Sequence, residues 1–158
     1  MRREPAATRQ RDVVVAVCSA VPSEHEVRES FAAQGALQFL GATMESVGDG
    51  ACVISVDYRE ELSQQDGFFH AGILTTVADS AGGYAAFSLM PEGSRVLATE
   101  FKFNFLRPAG PGRAIAEARV IKAGRTLTVT AIDVHVEADG RRSHVATALQ
   151  TCMCLPKA

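Results

Sequence analysis

From His70 to about Met90 the apolar residues keep a helical rhythm: Ile73, Leu74, Val77, Ala81, Tyr84, Ala85 and Leu89 recur every three or four positions. At a rise of 1.5 Å per residue, such a helix is about 30 Å long. Pro91 and Gly93 mark its end. Few charges interrupt it, so the pattern predicts a helix buried on most sides. Beyond it the period changes to two. Phe101, Phe103 and Phe105 alternate with Glu100, Lys102 and Asn104, the cleanest strand signal in the chain. Arg107-Pro108-Ala109-Gly110-Pro111-Gly112 is a turn-rich break. Strands are expected over 114–122 and 125–137, flanking a tight link at Ala123-Gly124, and over 143–154 after the turn signal Asp139-Gly140.

Ahead of the long helix the signals are shorter. Ser23-Glu24-His25-Glu26 has the form of a capping box. Val27 and Phe31 lie four apart on one face, and Gly35 is a candidate terminator, so a helix is expected over 24–34. Strands are expected over 39–46 and 51–58, joined through Gly48-Asp49-Gly50. The order is one helix, two strands, one long helix and four strands. A single long helix cannot cover both faces of a parallel sheet. The pattern therefore predicts an α+β layer architecture, an antiparallel sheet curled around one helix.

A chain of 158 residues with 47% hydrophobic content is expected to form one domain with a real core. Residues 1–22 read as a basic tail (Arg2, Arg3, Arg9, Arg11) and a lead-in segment that includes the apolar run 13–17; residues 23–158 read as the domain. The basic residues before that run resemble a signal peptide, but Pro22-Ser23-Glu24-His25-Glu26 follows without a convincing cleavage site. A net charge of −2 exerts no general pull on nucleic acid, and the absence of Trp gives base stacking little support. No stretch approaches the roughly 20 apolar residues of a membrane span. Cys18, Cys52, Cys152 and Cys154 lack zinc-ligand spacing, so no metal is expected, and free thiols suit a cytoplasmic, reducing location.

The candidate chemistry lies on the long helix. Asp79 is a carboxylate in an otherwise apolar helix, where a charge is costly unless paired or used. Thr75, Thr76, Ser80, Gly82 and Gly83 make a small, polar stripe around it. Each glycine inside a helix costs about 1 kcal/mol relative to alanine, which is easier to understand if something must approach closely. At the helix start, the first N–H groups have no intrahelical partners and favour developing negative charge. A carboxylate and a helix mouth are the parts that acyl transfer needs.

Gln64-Gln65-Asp66-Gly67-Phe68-Phe69-His70-Ala71-Gly72, followed by Asp79-Ser80-Ala81-Gly82-Gly83 and by Glu100-Phe101-Lys102-Phe103-Asn104-Phe105-Leu106-Arg107-Pro108-Ala109, resembles the hotdog-fold thioesterases of the phenylacetate-pathway (PaaI-like) group. That family carries His-Gly-Gly at the start of its central helix and an Asp or Glu nine residues after the His. The resemblance covers about residues 25–155. It implies a hotdog fold, five to six antiparallel strands around the helix, and hydrolysis of acyl-coenzyme A. It also implies a homodimer or homotetramer with active sites between subunits. Asp79 takes the place of the nucleophile or general base, and Ala71 that of the glycine whose N–H polarises the thioester carbonyl. Gln64 falls where relatives orient substrate or water, and His70 falls on the motif histidine. Gly72, Gly83, Ala98, Thr99 and Arg125 are the candidates to line the substrate, Arg125 by meeting coenzyme A phosphates. Coenzyme A is part of the substrate, and no separate cofactor is expected.

Two positions depart from the family pattern. Ala71 replaces the first glycine but keeps a backbone N–H. Ala98 stands where relatives often carry Ser or Thr, and Thr99 would point to the other face of a strand. The missing hydroxyl tilts the expected mechanism toward direct attack by Asp79. Two other functions share the implied fold. A hydratase would need a His paired with a carboxylate, and Asp66-x-x-x-His70 falls one residue short of that pattern. A non-catalytic acyl-coenzyme A-binding domain would keep the pocket without needing Asp79.

Overall fold

A computed structural model describes residues 20–156. The basic tail, most of the lead-in segment with its apolar run, and Cys18 lie outside the described residues. Ser23 caps the first helix, α1 (Glu24–Ala32), and the capping box is complete: its side chain accepts from the Glu26 N–H, and Glu26 reaches back to the Ser23 N–H at 2.8 Å. Val27 and Phe31 are its buried face.

Two expectations fail just after it. Gly35 does not terminate α1, and 39–46 is not one strand. The chain instead forms a short helix, α2 (Gly35–Leu40), ended by Gly41 in the left-handed conformation at φ 69°. Strand β1 (Thr43–Gly48) begins only after that stop. The physical reason is the spacing of Leu37 and Leu40, three apart. Both are buried on one helical turn, while Phe39 between them is 77% exposed. A strand would have put Leu37 and Phe39 on the same face.

Strand β2 (Ala51–Asp57) pairs with β1 across a tight turn at Asp49 and Gly50, both at positive φ. A short 3₁₀ turn (Glu60–Leu62) and a loop lead to the long helix, α3 (Ala71–Phe87). Then come β3 (Ser94–Phe105), β4 (Arg113–Ala123), β5 (Leu127–Ala138) and β6 (Arg141–Pro156). The six strands form one antiparallel sheet in the order β1-β2-β4-β5-β6-β3. The long β3 is therefore an outer strand.

Helix α3 lies on one face of this sheet, against residues of β2, β3, β4, β5 and β6. The inward positions follow the period of two: Cys52, Ile54 and Val56 on β2, Ala114, Ala116 and Ala118 on β4, and Ile132, Val134 and Val136 on β5. The alanine row on β4 has no bulk to hold the helix away. Burying side chains such as Ile132 or Leu74 contributes about 1.5–3 kcal/mol each to this sandwich. The helix is not buried all round. Thr75, Thr76, Asp79, Ser80 and Gly83 form a half-open stripe along it. No helix among the described residues is long and apolar enough to cross a membrane.

Candidate active site

The mouth of α3 is set by the loop before it. Ser63 bridges to Phe69, the Gln64 N–H donates to the Phe68 carbonyl at 2.8 Å, and the Phe69 N–H donates to the Ala109 carbonyl at 2.8 Å. His70 is the N-cap: its Nδ1 accepts from the Gly72 N–H at 3.0 Å, and its carbonyl accepts from the Ile73 N–H at 2.9 Å. An Nδ1 that accepts puts the proton of the neutral ring on Nε2. Of the first N–H groups of the helix, that of Ala71 has no acceptor among the described residues. It is an exposed donor at the positive end of a seventeen-residue helix.

Gln64 shares a cavity of about 450 Å³ with Ala71, Phe68, Leu74 and Arg107. Its Oε1 accepts from the Asp66 N–H and its backbone carbonyl from the Gly67 N–H, while its amide N–H₂ has no partner among the described residues. The mouth therefore presents two kinds of donor, one from the backbone and one from a side chain.

Asp79 lies eight residues further on, about 12 Å along the axis. It opens into a different cavity, of about 130 Å³, lined also by Gln34, Ser80, Gly83, Tyr84, Val96, Ala98 and Gln150. Gln150, 1% exposed on β6, donates through Nε2 to Asp79 Oδ1 at 2.5 Å and to the Asp79 carbonyl at 3.1 Å. Its Oε1 is 3.4 Å from Thr130 Oγ1, which donates to it. Burial pushes the Asp79 carboxyl above the ordinary carboxylate range, and the Gln150 hydrogen bond only partly opposes that. No cation pairs with Asp79 among the described residues. A half-buried carboxylate held by one amide and facing a cavity is chemically able to serve as a nucleophile or a base.

Gly82 exists for this arrangement. A Cβ there would collide with Gln150 Oε1 and stand 2.9 Å from Thr130 Oγ1 and 3.1 Å from Ile132 Cδ1. Cys152, next inward on β6, is fully buried. Burial, with a smaller push from the Asp79 charge, raises its thiol to about 11, so it is an inert wall. The described cysteines are free thiols, and no group of three or more His, Cys, Asp or Glu among the described residues could hold a metal.

The remaining candidates fall in three places. Ala98 and Gly83 line the Asp79 cavity, and Gly72 is bound within the cap. Thr99 is bulged out of the β3–β6 ladder, which passes directly from Ala98↔Cys152 to Glu100↔Thr151, and its hydroxyl donates to the Thr151 carbonyl at 3.1 Å. Arg125 sits in the exposed link between β4 and β5, at the end of the sheet near the C-terminus of α3 and away from the mouth. A third cleft, of about 500 Å³, holds Arg107 and Arg141 and shares Arg107 and Pro108 with the mouth cavity.

Comparison with known proteins gives the family. Residues 66–143, from the loop at the mouth to β6, match the family model described as the thioesterase superfamily. A protein of Halobacterium salinarum named "Putative esterase" is 36% identical over 110 residues, 66% of this chain and 72% of its own length. The chain belongs to the thioesterase superfamily. The crystal structure of a thioesterase family protein from Silicibacter pomeroyi superimposes with a TM-score of 0.81 at 47% identity, covering 82% of this chain and 96% of that one. A more distant relative, 25% identical over 105 residues (66% of this chain, 85% of its own), is the 1,4-dihydroxy-2-naphthoyl-CoA hydrolase of Listeria monocytogenes. The fold is thus the hotdog fold of these thioesterases, and the protein is a thioester hydrolase. Within that family setting, Gln150 and Gln34 are the residues that sequence patterns did not single out. A signal for Gln150 exists: it is a polar residue in the inward series Ala146, Ala148, Gln150, Cys152.

Proposed function

We propose that this thioesterase hydrolyses acyl-coenzyme A in a site completed by a second copy of the chain. Asp79 of one copy faces the Gln64 amide and the Ala71 N–H of the other. One observation carries this reading. The groups needed at a single thioester carbonyl open into two separate cavities, about 12 Å apart along a rigid helix, which no side-chain movement can close. A two-fold copy running antiparallel to α3 would place each half opposite its complement. The long outer strand β3, with Leu97 54% exposed, is the kind of edge that pairs with another edge.

In the completed site the thioester oxygen would take the Ala71 N–H, which stabilises the tetrahedral intermediate as charge builds on that oxygen. The ionised Asp79 either attacks the carbonyl carbon or takes a proton from the water that does. Coenzyme A leaves as the thiolate, and water supplies the second oxygen of the acid. No hydroxyl from position 98 anchors that water, which favours direct attack. The coenzyme A phosphates would lie across Arg107 and Arg141. Neither guanidinium has a partner among the described residues, and their cleft continues from the mouth. Arg125, at the other end of the sheet, would meet the same ligand only from the second copy. The name of the Listeria relative, a coenzyme A thioester hydrolase, supports the substrate class. Free thiols favour the cytoplasm as its location.

The test is complementation. Asp79→Asn should lower kcat by at least about 10²-fold, the low end for a positioned acid or base. Ala71→Pro should be as damaging. Co-expressed in equal amounts, the two inactive chains should recover about a quarter of parental activity, because half of randomly formed dimers contain one intact site of two. No recovery in a mixed dimer verified by mass would refute the shared site. Near-parental turnover by Asp79→Asn alone would refute the mechanism.

A further inference from the structure

Residues 64–68, in front of α3, form a turn closed on itself. The Gln64 N–H donates to the Phe68 carbonyl at 2.8 Å, and the Gly67 N–H donates to the Gln64 carbonyl at 3.1 Å. The Asp66 N–H donates to Gln64 Oε1, so the side-chain amide that lines the mouth cavity is oriented by the turn it begins. Gly67 sits at φ 78°, and a Cβ there would meet nothing within 4 Å, so the bend and not crowding asks for glycine. The direction of the Gln64 amide therefore depends on where this turn is held.

One side chain ties the turn to the rest of the fold. The Tyr58 hydroxyl donates to the Gly67 carbonyl at 3.0 Å, and among the described residues no other hydrogen bond joins 64–68 to the body of the protein. The remaining anchors lie just outside the turn, where Ser63 bridges to Phe69 and the Phe69 N–H meets the Ala109 carbonyl. Tyr58 follows β2 directly and is fixed from two sides. Its N–H donates to the Gly112 carbonyl at 2.8 Å, and its ring meets the buried Phe69 ring edge-on, with centroids 5.2 Å apart at 86°. Gly112 closes the break that carries Arg107, Pro108 and Ala109 of the same cavity. Phenylalanine would serve the ring contact equally well; the hydroxyl adds only the bond to Gly67.

We propose that Tyr58 is a positioning residue for thioester hydrolysis. Its hydroxyl holds the 64–68 turn and, through the Asp66 N–H, orients the Gln64 amide in the mouth. Tyr58 does not line the cavity, so it acts through Gln64 and not on the substrate. The inference rests on the reading of Gln64 as a donor at the thioester. A reacting geometry displaced by about 1 Å can cost about 10²-fold in rate, so a bond outside the cavity can appear in kcat.

The experiment uses the full chain. Tyr58→Phe keeps the ring and removes one hydroxyl, so its melting temperature should stay near that of the parent. Amide exchange at Asp66 and Gly67, followed by NMR, should accelerate about 5–10-fold, the range of one net hydrogen bond, while the amides of α3 keep parental rates. Turnover is measured with whichever of acetyl-, hexanoyl- and benzoyl-coenzyme A the parent hydrolyses fastest. There kcat should fall about 5–10-fold with KM unchanged. Gln64→Ala should lower kcat at least as much, and adding Tyr58→Phe to it should cost less than about 2-fold more. Unaltered exchange at Asp66 and Gly67 would overturn the inference by showing that the hydroxyl does not hold the turn. Losses that multiply in the double variant would overturn it by showing that Tyr58 does not act through Gln64. Full activity of Gln64→Ala alone would refute the role given to Gln64, and the exchange rates would still decide whether Tyr58 holds the turn.

Discussion

The mouth of α3 and the pocket around Asp79 share one helix, yet they are made differently. The mouth is built from backbone: an Ala71 N–H left free because His70 and its carbonyl satisfy the next two donors. The Ala71 donor needs no side chain of its own, so alanine can stand there, while the His70 imidazole caps Gly72 and the Gln64 amide lies beside it. The pocket is built from side chains that depend on one another. Asp79 is held by Gln150, Gln150 leans on Thr130, and Gly82 is bare to admit them. An electrophile can be polarised by any correctly placed N–H, whereas a half-buried carboxylate must be kept ionised and aimed, which takes a fixed surrounding network.

The largest expected effect probes the mouth. Ala71 is the first residue of α3, where proline is well tolerated, and His70 before it has the extended backbone (ψ 134°) that proline requires. Ala71→Pro should fold with a melting temperature near that of the parent, yet lose about 10²–10³-fold in kcat, the range for one oxyanion donor. Ala71→Gly should keep full activity. An active Ala71→Pro enzyme would break the contrast by showing that the mouth does not act through this N–H.

A smaller effect separates the pocket. Gln150→Met keeps the length of the side chain and removes the hydrogen bond that favours the ionised carboxylate. Asp79 must be ionised to act, and its pKa is already raised, so the acid limb of kcat/KM should lie above the usual carboxylate value of about 3.9. In Gln150→Met that limb should move further up, with a loss of about 5–10-fold at neutral pH. A pH–rate profile with an unmoved limb would show that Gln150 is only packing.

The smallest effect is on stability. A carboxyl whose pKa is raised by folding favours the folded state less once it is ionised. This penalty is absent below the unfolded pKa of about 3.9 and grows as the pH rises through the folded value. Asp79→Asn removes it, so the inactive variant should melt above the parent at pH 7, with the difference disappearing below about pH 4. Thermal melts across that interval would reveal an opposite sign if the charge instead holds the fold together.

Much of this was legible in the residues, for stated reasons. Helix α3 and the strands after it follow from sustained periods of three to four and of two, whereas β1, expected from residue 39, begins only at Thr43. The mouth follows from a motif whose chemistry is backbone and local. Short α2 was not legible: with six residues it shows less than two turns of periodicity, and exposed Phe39 imitates a strand. Gln150 was hidden for another reason. Its role depends on β6 lying beneath α3 in one register, a contact across seventy-one positions. Nor does sequence spacing reveal that Gln64 and Ala71 open to one cavity and Asp79 to another.

The fit of Gln150 into the notch at Gly82 couples two distant positions through volume. Any larger residue at position 82 overlaps the carboxamide, and any shorter one at position 150 leaves both a void beside the helix and an unsupported carboxylate. Sequences that keep the carboxylate at position 79 in this form should therefore vary at 82 and 150 together. A Gly82→Ala change should be tolerated by the packing only alongside a smaller partner on β6, an exchange that restores the volume but not the hydrogen bond to Asp79.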